Sequence, residues 1–105
     1  MWLFLPQGFV SVVAHRNNDG LLVRARNAAQ LKTLFPEHEQ TVLPNADYRY
    51  RVFVSREALA AVVAEHISEM NYDNYKAAID DDNYHDVCME VWRTMWAYGS
   101  RTGGE

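Results

Sequence analysis

From Asn71 to Trp92 the chain reads NYDNYKAAIDDDNYHDVCMEVW, and here its acids, one histidine and single cysteine come closest together. Three chemistries can be drawn from these types. Asp73 paired with Asp80, Asp81 or Asp82 could supply a general acid and base. One carboxyl would then need a pKa raised by burial, and adjacent aspartates in so polar a run stay solvated. His85 and Cys88, at i and i+3, share a helix face and could hold a soft metal with Asp81. Structural zinc takes four such ligands, and the spacing and missing glycine exclude a calcium loop. Cys88 as a nucleophile beside His85 would need a third, orienting group and an oxyanion site, for which no residues present themselves. A plainer role covers most of the polar residues. Asp73 or Asn74 caps one helical segment and Asp82 or Asn83 caps the next, with carboxylates at the positive end of the dipole. The expectation is therefore no catalytic residue, no metal and no cofactor, and Cys88 packed as a small apolar side chain near Tyr84 and Val91.

Two other sets suit binding. On the final helix Tyr84, Val87, Cys88, Val91, Met95 and Tyr98 form one stripe at helical spacing, and Met89, Trp92 and Trp96 form a second beside it. A peripheral helix needs one apolar stripe. The second either packs under Trp2 and Phe4 or docks a protein partner or another copy of the chain, as Met and Trp commonly do. The other set is Arg24 and Arg26 on one strand face, Arg49 and Arg51 on another, and His15. In a suitable register they line one sheet face with Phe9 and Phe53, as single-stranded nucleic-acid binders do. Against this, no RNA-binding signature is present and the chain carries a net charge of −4. The arginines can instead pair with Asp19, Glu39 or Asp47, or lie along aromatic rings.

The elements that position these residues follow from periodicity. GFVSVVAHR alternates, with Val10, Val12 and Ala14 on one face; NNDG is a turn; LLVRAR returns as a second strand. Asn27 caps a short helix whose Leu31, Leu34 and Phe35 face the sheet and which Pro36 helps to end. EQTVL is a weak strand, PNAD a turn, and YRYRVFV a strong strand with Tyr48, Tyr50, Val52 and Val54 on one face. Ser55 caps a helix carrying Leu59, Val62, Val63, His66, Ile67 and Met70 towards the sheet. A short segment around NYKAAI and a final helix from about Asn83 to Tyr98 complete the order. The expected fold is α+β: a ββαββα two-layer sandwich, mostly antiparallel and four-stranded, with helices on one face and an extra C-terminal helix. Residues 1–98 would form one domain and 99–105 a flexible tail.

The bulk numbers agree with a small globular protein. The 105 residues are 49% hydrophobic and 23% charged, enough for a core and too few charges for disorder. Charge is lopsided: residues 1–53 carry six Lys and Arg against four acids, residues 54–105 four against ten. The apolar start MWLFL lacks a basic leader region and is interrupted by PQG, so it reads as folded structure. One cysteine permits no internal disulfide, and no stretch suits a membrane span, so a cytoplasmic protein with no membrane role is expected.

Taken together and in order, WLF, GFVSVV, LVRAR, LFP, DYRYRVFV, NYDNYK and EVW resemble a family of small uncharacterised proteins of bacteria and their phages. That family's usual form is nearer DYDNFK than NYDNYK. The resemblance spans most of the chain. It implies a single bacterial or phage cytoplasmic domain and transfers no catalytic residue. The functional expectation is a small non-catalytic protein-interaction or regulatory module, with self-association through the C-terminal helix (Met89, Trp92, Trp96) as one form. The alternative is nucleic-acid or anionic-ligand binding through His15, Arg24, Arg26, Arg49 and Arg51.

Overall fold

The computed structural model describes residues 1–16 and 19–102. The chain divides into two compact units, Met1–Asn71 and Tyr72–Glu105. The first holds β1 (Trp2–Leu5), β2 (Gly8–Ala14), β3 (Leu21–Ala25), α1 (Ala28–Leu34), β4 (Thr41–Val42), β5 (Tyr50–Val54) and α2 (Arg56–Ser68). The second holds a 3-10 turn (Tyr75–Ala78) and α3 (Asp82–Thr102).

The fold class is α+β. The sheet is antiparallel with strand order β1-β2-β3-β5-β4, so five strands replace the four expected. The addition is β1, which folds back on β2 with Phe4 opposite Phe9 and Leu5 opposite Gly8. A single row crosses every strand on one face: Trp2 opposite Ser11, Ser11 opposite Arg24, Arg24 opposite Arg51, Arg51 opposite Thr41.

The other face is the core. Val10, Val12, Val23, Ala25, Val52 and Val54 alternate inward, and Leu31, Phe35 and Leu59 descend on them from α1 and α2. Asn27 accepts from the Gln30 N–H at 3.0 Å and Ser55 from the Ala58 N–H at 3.0 Å, so both helices start at the expected caps. Gln30 also reaches across to accept from the Phe9 N–H at 3.1 Å, tying α1 to β2. Its side chain lies so close to Gly8 that a Cβ there would sit 2.5 Å from the Gln30 Cβ.

Four expectations change. Tyr48 precedes the regular part of β5, and its ring lies with Arg24, Arg26 and Phe9 on the far face rather than with Tyr50 and Val52. Ile67 and Met70 are exposed. Eight residues past Leu59, Ile67 is turned about 80° around the helix from the buried stripe, and Met70 follows the helix end. Asp81 caps α3 by accepting from the Tyr84 N–H at 2.9 Å, one residue earlier than expected. The helix then continues to Thr102, four residues beyond Tyr98, where a tail was expected. Residues 103–105 of that tail, and Asn17 and Asn18 of the NNDG turn, lie outside the described residues.

Candidate functional site

The acidic stretch is a helix-initiation device. Asn74 accepts from the Lys76 N–H at 3.1 Å to start the 3-10 turn, and Asp81 starts α3. His85 Nδ1 lies 3.5 Å from Asp86 Oδ1, its neighbour in sequence. Among the described residues no three His, Cys, Asp or Glu side chains gather where a metal could be held. Cys88 is a buried free thiol whose Sγ lies 3.8 Å from the Tyr75 hydroxyl. Burial raises the pKa of both the Tyr75 and Tyr84 phenols well above the ordinary tyrosine value; the hydrogen bond between them raises Tyr84 further and partly offsets the rise at Tyr75, and Cys88 adds to both. These neutral phenols and the buried Cys88 side chain fit a packed interior better than a reactive site.

Unit one brings the arginines together. Arg24 and Arg51 are cross-strand partners, and Arg26 and Arg49 each lie two residues from them, just past the paired ends of β3 and β5. Three of the four converge on Tyr48. The Arg24 and Arg26 guanidinium carbons lie 4.5 and 4.3 Å from its ring centroid, and Arg51 Nε donates to its carbonyl at 3.2 Å. Arg26 also grips Asp47 through both carboxylate oxygens at 2.9 and 3.1 Å, a bond that raises the guanidinium pKa. Arg24 donates to Ser11 Oγ at 2.8 Å, while its Nε is buried without a partner. Trp2, Phe4 and Phe9 continue this face as a ring cluster with centroid separations of 4.6 and 6.2 Å. His15 is not in the arginine group; it packs edge-on against Phe53 at 4.9 Å.

Most of this arrangement is local support. A ring between two guanidiniums and a carboxylate on one of them fix the Asp47–Tyr48 segment on β3. What remains unusual is the balance: four guanidiniums share one ion-paired carboxylate, Asp47, among the described residues. Like charges opposite one another on a sheet are unfavourable unless something negative lies near them.

Unit two presents a different surface. Its 21-residue α3 has Tyr84 and Cys88 buried in its first two turns, alongside the 3-10 turn. Beyond Cys88 the same broad apolar arc continues without cover. Trp92 is 51% exposed, Met95 57%, Trp96 65% and Tyr98 51%. Lys76 approaches this group, with its Nζ 5.2 Å from the Trp92 ring centroid. Met89, placed with the tryptophans from sequence, is half-buried. Sequence spacing assigns Met95 and Tyr98 to a buried stripe, but both are exposed. Their exposure depends on how far the 3-10 turn reaches along α3, which no local pattern encodes.

A third feature is a cleft of about 230 Å³ in unit one, between Leu5, Leu34 and Val62 with Gln7, His66 and Glu69 at its edge. It is smaller than the clefts that usually enclose a small-molecule ligand. No described helix is long and apolar enough to cross a membrane. Comparison of the chain with protein-family models, with curated proteins and with solved structures returned no match.

Proposed function

We propose that the protein is a small non-catalytic interaction or regulatory module that binds a protein through the uncovered half of α3. One observation carries this reading: two tryptophans, a methionine and a tyrosine, each more than half exposed, occupy adjacent turns of one helix. Exposed aromatic and methionine clusters of this kind are characteristic of binding surfaces, because their burial contributes strongly and costs little side-chain entropy. Catalysis finds less support, since Asp81 is engaged as the cap of α3 and His85 lies beside its neighbour Asp86. Cytoplasmic residence belongs to the same reading, supported by the unpaired Cys88. The resemblance to small bacterial and phage proteins is compatible with it.

The test is affinity capture of the tagged protein from its host lysate, run beside Trp96→Glu and with nuclease. A stoichiometric protein retained by the wild type, resistant to nuclease and lost by the variant, is the expected result. A partner retained equally by both would overturn the assignment to α3.

A second reading, anionic-ligand or nucleic-acid binding, is favoured by the register that sets Arg24 opposite Arg51 with so few carboxylates nearby. It requires affinity that falls steeply with salt as counterions are released. Nucleic acid that co-elutes, disappears with nuclease and is lost on replacing Arg49 and Arg51 would move the assignment to the sheet. Binding that survives those replacements would end this reading.

A further inference from the structure

Resting on the reading of α3 as a contact surface, we infer that its occupant is a second copy of α3, packed antiparallel about a two-fold axis between Met95 and Trp96. Three features of the helix lead there. The first is area. The exposed portions of Trp92, Met95, Trp96 and Tyr98 amount to on the order of 550 Å². Doubled by symmetry, this is about 1,100 Å², in the size range of weak, reversible protein pairs.

The second is shape. Trp92 and Gly99 are seven residues apart and so share one helix face, and nothing lies within 4 Å of where a Gly99 Cβ would be. A two-fold between Met95 and Trp96 sets Trp92 of each copy over Gly99 of the other. The largest side chain then meets the smallest on both sides of the axis. The overlap falls on the half of α3 beyond Cys88, leaving the half beside the 3-10 turn undisturbed.

The third is charge. The first nine residues of α3 carry Asp82, Asp86 and Glu90, and the remainder carries Arg93 and Arg101. Antiparallel pairing brings the acidic end of one helix towards the basic end of the other and opposes their macrodipoles, whereas parallel pairing stacks like on like. All five charges lie off the apolar arc, so none is buried by the pairing. The same inventory argues against a lipid surface, which favours amphipathic helices with a polar face rich in Lys and Arg.

The test is sedimentation equilibrium of the full chain, comparing wild type, Trp96→Glu and Gly99→Leu. Gly99→Leu has open space in the single chain and better helix propensity, so it folds at least as well. In the antiparallel pair the new side chain strikes the partner's tryptophan. A micromolar dimer in the wild type, weakened at least tenfold by both variants, is the expected result. A wild-type dimer unaffected by Gly99→Leu overturns the antiparallel register. A wild type that stays monomeric at high micromolar concentration overturns the second-copy assignment. The contact-surface reading then stands or falls separately, on whether Trp96→Glu loses a captured protein.

Discussion

Replacing Tyr48 by alanine tests whether the arginine group is structural support. The ring is 8% exposed and lies between the Arg24 and Arg26 guanidiniums, with Phe9 6.5 Å away. Removing a buried aromatic ring costs about 3–5 kcal/mol from lost burial and the cavity it leaves. The two cation–π contacts add about 0.5–1 kcal/mol each at this partly exposed site. Arg24 and Arg26 would also lose the ring that separates them. A total of about 4–7 kcal/mol is a large fraction of the stability of a domain this size. With a urea slope of about 1.5 kcal/mol/M, the unfolding midpoint should fall by roughly 3–5 M, read by circular dichroism. Tyr48→Phe keeps the ring and both stacking contacts and should cost under about 1 kcal/mol. A Tyr48→Ala loss below about 1 kcal/mol, or a Phe variant as damaged as the Ala variant, would refute the reasoning. It would also return the arginines to consideration as ligand-binding groups.

Two further predictions concern positioning and pH. Gly8→Ala should cost about 1–3 kcal/mol in urea unfolding, because the new Cβ pushes Gln30 aside and breaks its bond to the Phe9 N–H. Gly8→Ala combined with Gln30→Ala should recover little of that loss, because the Cβ of residue 30, 2.5 Å from the new one, is still there. At alkaline pH the buried phenols matter. Tyr75 and Tyr84 have folded pKa values raised above the ordinary tyrosine value of about 10, so the unfolded chain releases these protons first. Their contribution is fully present below about pH 10 and is lost as pH rises beyond it, by at most about 1.4 kcal/mol per pH unit for each phenol. Tyr84→Phe should flatten that alkaline slope in a pH series of unfolding midpoints; an unchanged slope would contradict the burial argument.

Much of the fold was legible because it rests on short-range rules. The alternation of Val10 and Val12 and the return through Leu21 and Val23 specify β2 and β3. Asn27, Ser55 and Asn74 are caps recognisable by type and place. β1 was hidden because Trp2–Leu5 is continuously apolar, and without alternation only its partner strand reveals it. Tyr48 was placed on the wrong face for a related reason. Strand parity was extended two residues past the point where the ladder starts, and there the guanidiniums of Arg24 and Arg26 decide where the ring goes. The arginine register needed strand order, a long-range property. Trp92 and Trp96 stood out by spacing, whereas the exposure that makes them informative comes from the limited reach of the 3-10 turn.

The most direct test of the α3 contact surface is hydroxyl-radical footprinting of the isolated chain at low concentration and of the complex recovered by capture or at high concentration. Trp92, Met95, Trp96 and Tyr98 should all lose reactivity in the complex, while Trp2 and Phe53 on the sheet keep theirs. Full reactivity of the four α3 side chains in a complex that has plainly formed would contradict the account.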